Sequence, residues 1–276
     1  MHTWDLTGLL SEFGAWRGVA ESCLEDFNEE CLQDALARRL DALGLTTLQE
    51  WLQCARQAPE ELSALHAACF NSTSAFFRDP WSYCVLERQI LPGLISRDTL
   101  RIWSAGCAEG QEALSLAILL EELERVRPGT GRSTLIASDS VAAVFSPSSP
   151  RVYPENQLQG LTLGRLKSWF VPHPQGFSPV PELLARVRFF HHDLLDAHSF
   201  SPPEAVFGGF DFICCANVLI YYTPIAQVRI LGNLRRALSD GGVLMVGPSE
   251  VGIVKRSGFF TVCPDGPFFL GANGVP

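Results

Sequence analysis

Leu100-Arg-Ile-Trp-Ser-Ala-Gly-Cys-Ala-Glu-Gly-Gln-Glu-Ala113 runs from an apolar stretch through a bend bracketed by two glycines into a segment of helical period that continues to Val126. The period change predicts a buried strand over Leu100–Ser104, then a turn, then a helix over Glu112–Val126. Gly106 and Gly110 permit a tight bend and a close approach of backbone to a ligand. The spacing lacks the full G-x-G-x-x-G of a dinucleotide site and the GK[ST] ending of a P-loop, which disfavours NAD and ATP. On the bend alone, a plain strand-to-helix turn remains an alternative.

Downstream, Ser133–Ser138, Val187–Phe190, Phe210–Cys215 and Val243–Gly247 read as further strands, with a helix over Pro224–Leu238 and a turn at Asp240-Gly241-Gly242. Strands alternating with helices imply right-handed crossovers, hence an α/β fold with a doubly wound, mostly parallel sheet. The tail, Phe259–Cys263 and Pro267–Leu270 about a Pro-Asp-Gly turn, reads as an antiparallel pair. Ser146–Pro150 and Phe170–Glu182 read as loops, the second with a hairpin turn at Gln175-Gly176.

Upstream, Leu32, Leu36, Leu40 and Leu43 recur at helical steps before Gly44, Thr47 and Glu50 form a capping-box pair, and Pro59 opens a helix carrying Leu62, Leu65 and Cys69. Asp79-Pro80 suits the cap and first turn of one more helix, through Val85, Leu86 and Ile90 toward Pro92. The expectation is an N-terminal helical domain over 1–75 and a larger domain over 76–276. Charge divides the same way. Residues 1–69 hold four arginines against twelve acidic residues, so this quarter carries most of the net charge of −9.

The 276 residues, 47% hydrophobic and 18% charged with a mean hydropathy of +0.13, describe a globular chain with room for a real core. No apolar run approaches the roughly 18 residues of a membrane span, and the first residues lack a secretion signal, so a cytoplasmic location is expected without membrane insertion. The acidic balance argues against nucleic acid as a partner. Nine cysteines without CxxC spacing read as reduced thiols. His191, His192, Asp193 and His198 lie close in sequence, but adjacent strand histidines point to opposite sides and no zinc spacing accompanies them, so no metal site is expected.

In an open α/β sheet the ligand lies beyond the carboxyl ends of the strands, where the topology reverses. Asp139 ends the second strand, where a carboxylate can accept both hydroxyls of a ribose; capping a neighbouring turn is the alternative. Glu112 can hold an amino group, or be a first-turn acid favoured by the helix dipole. A nucleoside without phosphates fits better than a dinucleotide, and S-adenosylmethionine combines a ribose with a sulfonium cation.

Several segments, in order, resemble the CheR family of chemotaxis protein-glutamate O-methyltransferases. Ser74-Ala-Phe-Phe-Arg-Asp-Pro80 is similar to that family's T-x-FFRDP, Ile102 to Ala113 to its WSAGC-x-x-GEE turn, and Ala137-Ser-Asp139 to its ATD strand end. His192-Asp-Leu-Leu195 resembles its HNLL loop, Cys215-Ala-Asn-Val-Leu-Ile-Tyr-Tyr222 its CRNVLIYF strand end, and Leu238 to Leu244 with Gly247-Pro-Ser-Glu250 its PGG and GHSE region. The resemblance runs from about Leu24 to Leu270. It implies a Rossmann-like methyltransferase with a helical docking domain and a small antiparallel insert at about 170–187. It further implies that Ser74, Arg78, Glu112, Asp139, Asp193, Leu194 and Asn217 line the S-adenosylmethionine pocket beside Gly106, and that Arg78 and Tyr221 are the catalytic residues. S-adenosylhomocysteine would be the product, and a glutamate-bearing protein, chemoreceptor-like, the acceptor.

Three positions depart from the family pattern. Ala216 stands where the family usually has Arg, Ser72 and Ser74 replace Asn and Thr, and the helical domain is acidic where the family's docking helix is usually basic. Like charges repel, so a neutral or basic partner is expected. A catalytically weak cofactor-binding sensor or scaffold and a small-molecule methyltransferase are the competing readings, since fold alone does not decide function.

Overall fold

The computed structural model describes residues 3–18, 22–70, 74–95, 99–127, 132–141, 151–203 and 209–271. The N-terminal part is helical: α1 (Thr7–Phe13), α2 (Glu29–Leu43), α3 (Leu48–Gln57) and α4 (Glu60–Cys69). Asn28 caps α2, its Oδ1 accepting from Cys31 N at 2.8 Å, and Gly44 closes it in the left-handed region. Thr47 and Glu50 cap α3 reciprocally: Glu50 N donates to Thr47 Oγ1 at 3.2 Å, and Thr47 N to Glu50 Oε2 at 2.9 Å.

The next helix departs from the single run expected. α5 (Pro80–Val85) passes through a π-turn over Leu86–Ile90 into α6 (Leu91–Leu94). Pro92 lacks an N–H and its ring would press on the carbonyl four residues back; the wider turn just before it accommodates both. Asp79 does not cap the backbone here; its carboxylate takes the Ser82 hydroxyl instead.

The remainder alternates strand and helix: β1 (Thr99–Ala105), α7 (Gln111–Val126), β2 (Arg132–Asp139), α8 (Leu163–Trp169), β3 (Phe170–His173), β4 (Gly176–Pro179), α9 (Pro181–Ala185), β5 (Val187–His191), β6 (Phe210–Cys215), α10 (Pro224–Ala237), β7 (Leu238–Val246), α11 (Val251–Ser257), β8 (Phe260–Val262) and β9 (Phe268–Gly271). The main sheet has the order β5-β2-β1-β6-β7-β9-β8; the first five strands are parallel and the last two join antiparallel. From β1 the chain winds outward to β2 and β5, then returns to start β6 on β1's other side. That reversal between β1 and β6 opens a crevice at their carboxyl ends.

Two local expectations are corrected. The turn at Asp240-Gly241-Gly242 is a bulge inside β7: Phe210 pairs with Leu238 but Phe212 with Val243, and Gly241 has φ +67°. The segment from Phe170 is a β3–β4 hairpin, with Phe170 opposite Pro179 and His173 opposite Gly176, and it continues into α9. The hairpin turn expected at Gln175-Gly176 and the antiparallel insert expected at about 170–187 are therefore present, and only the loop-like reading of the flanking residues changes, because their prolines sit at strand ends and edges here. Ser72 and Ser146–Pro150 lie outside the described residues.

Alternation along the strands divides the core. Trp103, Ile213 and Leu244 share one continuous core with Leu36, Trp51 and Leu65 of the N-terminal helices and Leu231 of α10. Ile102, Phe212 and Met245 face the other side, against Leu116 of α7 and Trp169 and Leu183 of the hairpin region. All nine cysteines are free thiols. No helix among the described residues is long and apolar enough to cross a membrane.

Candidate active site

The crevice at the strand ends spans about 950 Å³ when the open space at its mouth is counted. Its first wall is the bend after β1. Gly106 has φ +78°, its N–H donates to Ser138 O at 2.8 Å, and a Cβ there would lie 2.5 Å from Val218 Cγ2. The glycine therefore lets the β1 bend pack directly on the loop after β6. Ala108, at φ +44°, donates its N–H to Asp139 Oδ2 at 2.9 Å, and Val141 N donates to Asp139 Oδ1 at 3.0 Å.

Asp139 thus takes the turn-holding role that was its alternative reading, and it also lines the crevice. The two roles are compatible, because each carboxylate oxygen retains a second lone pair for a ribose hydroxyl. Burial pushes its carboxyl above the ordinary value, and the two N–H bonds oppose that rise.

Glu112 stands in the first turn of α7, half-buried on the crevice wall, with Oε1 accepting from Ser104 Oγ at 2.7 Å. Burial pushes its carboxyl up to about 7; the hydrogen bonds from Ser104 and Cys214 and the charge of Arg78 oppose this, while Glu250 reinforces it. A cation placed beside Glu112 would restore its charge.

Another stretch of the lining begins at Ser74. Phe76 and Phe77 are buried: Phe76 packs edge-on to Tyr153 and Phe170 at 5.0 and 5.3 Å, and Phe77 to Tyr83 at 5.0 Å. Phe77 sits at φ +48° with its N–H on Ser115 Oγ at 3.1 Å. These two anchors leave the next residue, Arg78, on the crevice rim with Ser74. From the loop after β6 come Asn217, at φ +61°, and Tyr221, whose ring meets Phe70 edge-on at 5.7 Å. Leu194 reaches in from the loop after β5.

The crevice thus gathers Ser74, Arg78, Gly106, Glu112, Asp139, Leu194, Asn217 and Tyr221. Asp193 is not among its lining residues. Its Oδ2 accepts from Ser22 N at 2.6 Å and its Oδ1 from Leu195 N at 2.9 Å, so it ties the N-terminal segment to the loop after β5. Ser22 Oγ in turn lies 2.7 Å from His66 Nε2 of α4. No reading of Asp193 by itself points to a partner 171 positions away.

Among the lining residues not assigned to the pocket from the sequence are Phe70, His192 and Ala216. Phe70, just past α4, reaches the crevice from the N-terminal helices. An apolar ring after a helix carries no chemical signature, and only the packed structure shows its position. His192 lines the crevice beside Trp103, with ring centroids 5.8 Å apart, and burial pushes its imidazole down. Ala216 also lines it, so the methyl replacing the family's guanidinium borders the cavity itself. His191 is turned away, its Nε2 3.0 Å from Ser140 O, and among the described residues no three His, Cys, Asp or Glu are grouped to hold a metal.

The donors and charges suit S-adenosylmethionine. Glu112 would hold the amino group, Asp139 the ribose, and a described lining with three carboxylates, Asp79, Glu112 and Asp139, and no lysine suits a sulfonium. The crevice has one guanidinium among its described lining residues, Arg78, and the Tyr221 phenol also lines it.

Residues 71–265 match the family described as CheR methyltransferase, SAM binding domain. A chemotaxis protein methyltransferase of Listeria innocua is 32% identical over 200 residues, spanning 69% of this chain and 72% of that protein. One from Vibrio parahaemolyticus is 30% identical over 234 residues, 82% of each chain. Among solved structures, MNMC2 from Aquifex aeolicus is similar at a TM-score of 0.41 and 16% identity, covering 70% of this chain and 59% of that one.

Proposed function

The chain belongs to the CheR methyltransferase family, is an S-adenosylmethionine-dependent methyltransferase, and on that premise we propose that its acceptor is a glutamate side chain of a partner protein in a cytoplasmic chemosensory assembly. The observation that carries this reading is the single crevice in which Glu112 and Asp139 face Arg78 and Tyr221. One pair is suited to a cationic nucleoside, the other to an anionic acceptor.

When bound, the cofactor supplies a methyl group on an electrophilic sulfonium and leaves as the neutral thioether S-adenosylhomocysteine. The protein's part is placement. A glutamate side chain, with an ordinary pKa of about 4.3, is ionised at neutral pH and needs no general base. Orienting its oxygen toward the methyl removes on the order of 7 to 11 kcal/mol of barrier. In this proposal Arg78 orients the acceptor carboxylate by a charge-assisted contact and Tyr221 positions it through its hydroxyl. Phe70 and Tyr222 line the same end with rings that keep water from the reacting oxygen.

The partner's chemistry is inferred from the helical part. α2 exposes Glu29, Glu30, Asp34 and Asp41. A glutamate-rich chemoreceptor segment would meet this surface with like charge, so a target glutamate flanked by neutral or basic residues fits better. Ala216 supports a second reading, a cofactor-binding module with weak turnover. Calorimetric titration with S-adenosylhomocysteine tests the cofactor site without an acceptor. Transfer of labelled methyl into base-labile esters on a partner protein tests the acceptor, and binding without transfer to any partner would favour the module.

A further inference from the structure

Glu250 closes the short helical turn Pro248–Glu250 that follows β7, and it is fully buried. Its Oε2 accepts from Gly247 N at 2.7 Å and from Asn217 N at 2.8 Å, and its Oε1 from Leu219 N at 2.7 Å. One side chain thereby joins the ends of β6 and β7. The residues it holds, Asn217 and Gly247 with Val218 between the bonded N–H groups, are themselves the crevice wall.

The fit is close. A Cβ on Gly247 would lie 2.9 Å from both Glu250 Oε2 and Asn217 Nδ2, so no larger residue enters without displacing the clamp. Asn217 is held at φ +61°, a conformation that persists where its surroundings over-determine it, and the Glu250 bond to its N–H is part of that constraint. Val218 carries the same constraint to the β1 bend through its contact with Gly106. Burial pushes the Glu250 carboxyl above its ordinary value, and the backbone N–H groups on both oxygens oppose that rise. The charge is felt in the crevice, since Glu250 raises the pKa of Glu112 on its wall.

We propose that Glu250 is a positioning residue for the methyl donor: it sets the Asn217–Leu219 loop as the cofactor's wall, and its buried charge biases the crevice toward the cationic sulfonium over the neutral thioether product. The proposal rests on the cofactor assignment. It gives the clamp a functional consequence, because a site that holds donor and product equally would release product slowly.

The test is calorimetric titration of the full chain and of its Glu250→Gln and Glu250→Asp variants with S-adenosylmethionine and, separately, S-adenosylhomocysteine. Glu250→Gln keeps the shape, removes the charge and sets an NH₂ against an N–H donor. Its affinity for the thioether should fall about tenfold, and its affinity for the sulfonium roughly fivefold further, as expected for a charge acting through low-dielectric protein. Glu250→Asp keeps the charge on a shorter arm, so both affinities should fall together and their ratio stay within about twofold of the wild type. Equal losses for the two ligands in Glu250→Gln, or no loss, overturn the proposal. If Glu250→Gln does not fold, unequal losses in Glu250→Asp overturn it and a preserved ratio supports it. Wild-type protein that binds neither ligand defeats the cofactor assignment, and the proposal with it, and is distinguishable from equal losses.

Discussion

The two ends of the crevice are built differently. At the end proposed for the cofactor, Gly106, Ala108 and Asp139 follow or end two adjacent strands and Glu112 opens the helix between them, all within one βαβ unit, with Ala108 N donating to Asp139 and Gly106 N to Ser138 O. At the end proposed for the acceptor, Phe70 comes from the N-terminal helices, Arg78 from the segment before α5 and Tyr221 from the loop after β6, with ring contacts such as Phe70 on Tyr221 and Phe27 stacked on Tyr222 at 5.2 Å. Hydrogen-bonded backbone makes a rigid site for a constant cofactor. Packed rings from distant segments make a wall that can differ between relatives without disturbing the first end.

The sharpest way to break this comparison is at the rigid end. Asp139→Ala removes the acceptor of two backbone N–H groups as well as the ribose contact, and should weaken S-adenosylhomocysteine binding by roughly 100-fold in calorimetry, with a lowered melting temperature. Unchanged affinity would remove Asp139 from the site. At the other end, Arg78→Ala should cut methyl transfer by roughly 10- to 100-fold while leaving product affinity within about twofold, because its contact is charge-assisted and directed at the acceptor. A matching loss of cofactor affinity would instead assign Arg78 to the first end.

Glu112 sharpens the comparison through pH. With its carboxyl pushed up to about 7 by burial, it is mostly protonated at pH 6 and mostly ionised at pH 8. An ammonium partner selects the ionised form, so cofactor affinity should rise about tenfold over that interval and Glu112→Gln should flatten the rise. Stability of the ligand-free protein runs the other way. The folded pKa lies above the ordinary 4.5, so the protonated group favours the fold, and its contribution is lost as pH rises from 4.5 through about 7. Melting temperatures that rise over this window would contradict the burial argument. The smallest effect is at Phe70. Phe70→Ala should lower transfer roughly fivefold with cofactor affinity little changed, the loss of a ring contact of about 1 kcal/mol; an equal loss in both measurements would merge the two ends into one.

Legibility followed the same division. Strand periods, the glycine bend and the carboxylate ending β2 were readable because each is a local pattern with a local cause. Asp193 was read in the pocket, yet it is not among the lining residues and its oxygens accept from Ser22 and Leu195, the first a contact between distant segments that no local pattern encodes. Glu250 stood in a quoted motif without a role, because its three N–H partners lie on two separate strand ends. The β3–β4 hairpin was legible from its Gln175-Gly176 turn and from the family resemblance, while the prolines, tolerated in a two-stranded sheet, obscured the strands themselves.

The chain's own order of residues determined the α/β winding, the helix caps and the chemistry at the ends of β1 and β2, since hydrophobic period, capping side chains and glycine bends act over a few residues. Only the tertiary structure decided which distant side chains close the crevice. The Phe70–Tyr221 wall, the Asp193–Ser22 tie and the Glu250 clamp each join segments far apart in sequence, and such contacts exist only after burial of the shared core has brought those segments together.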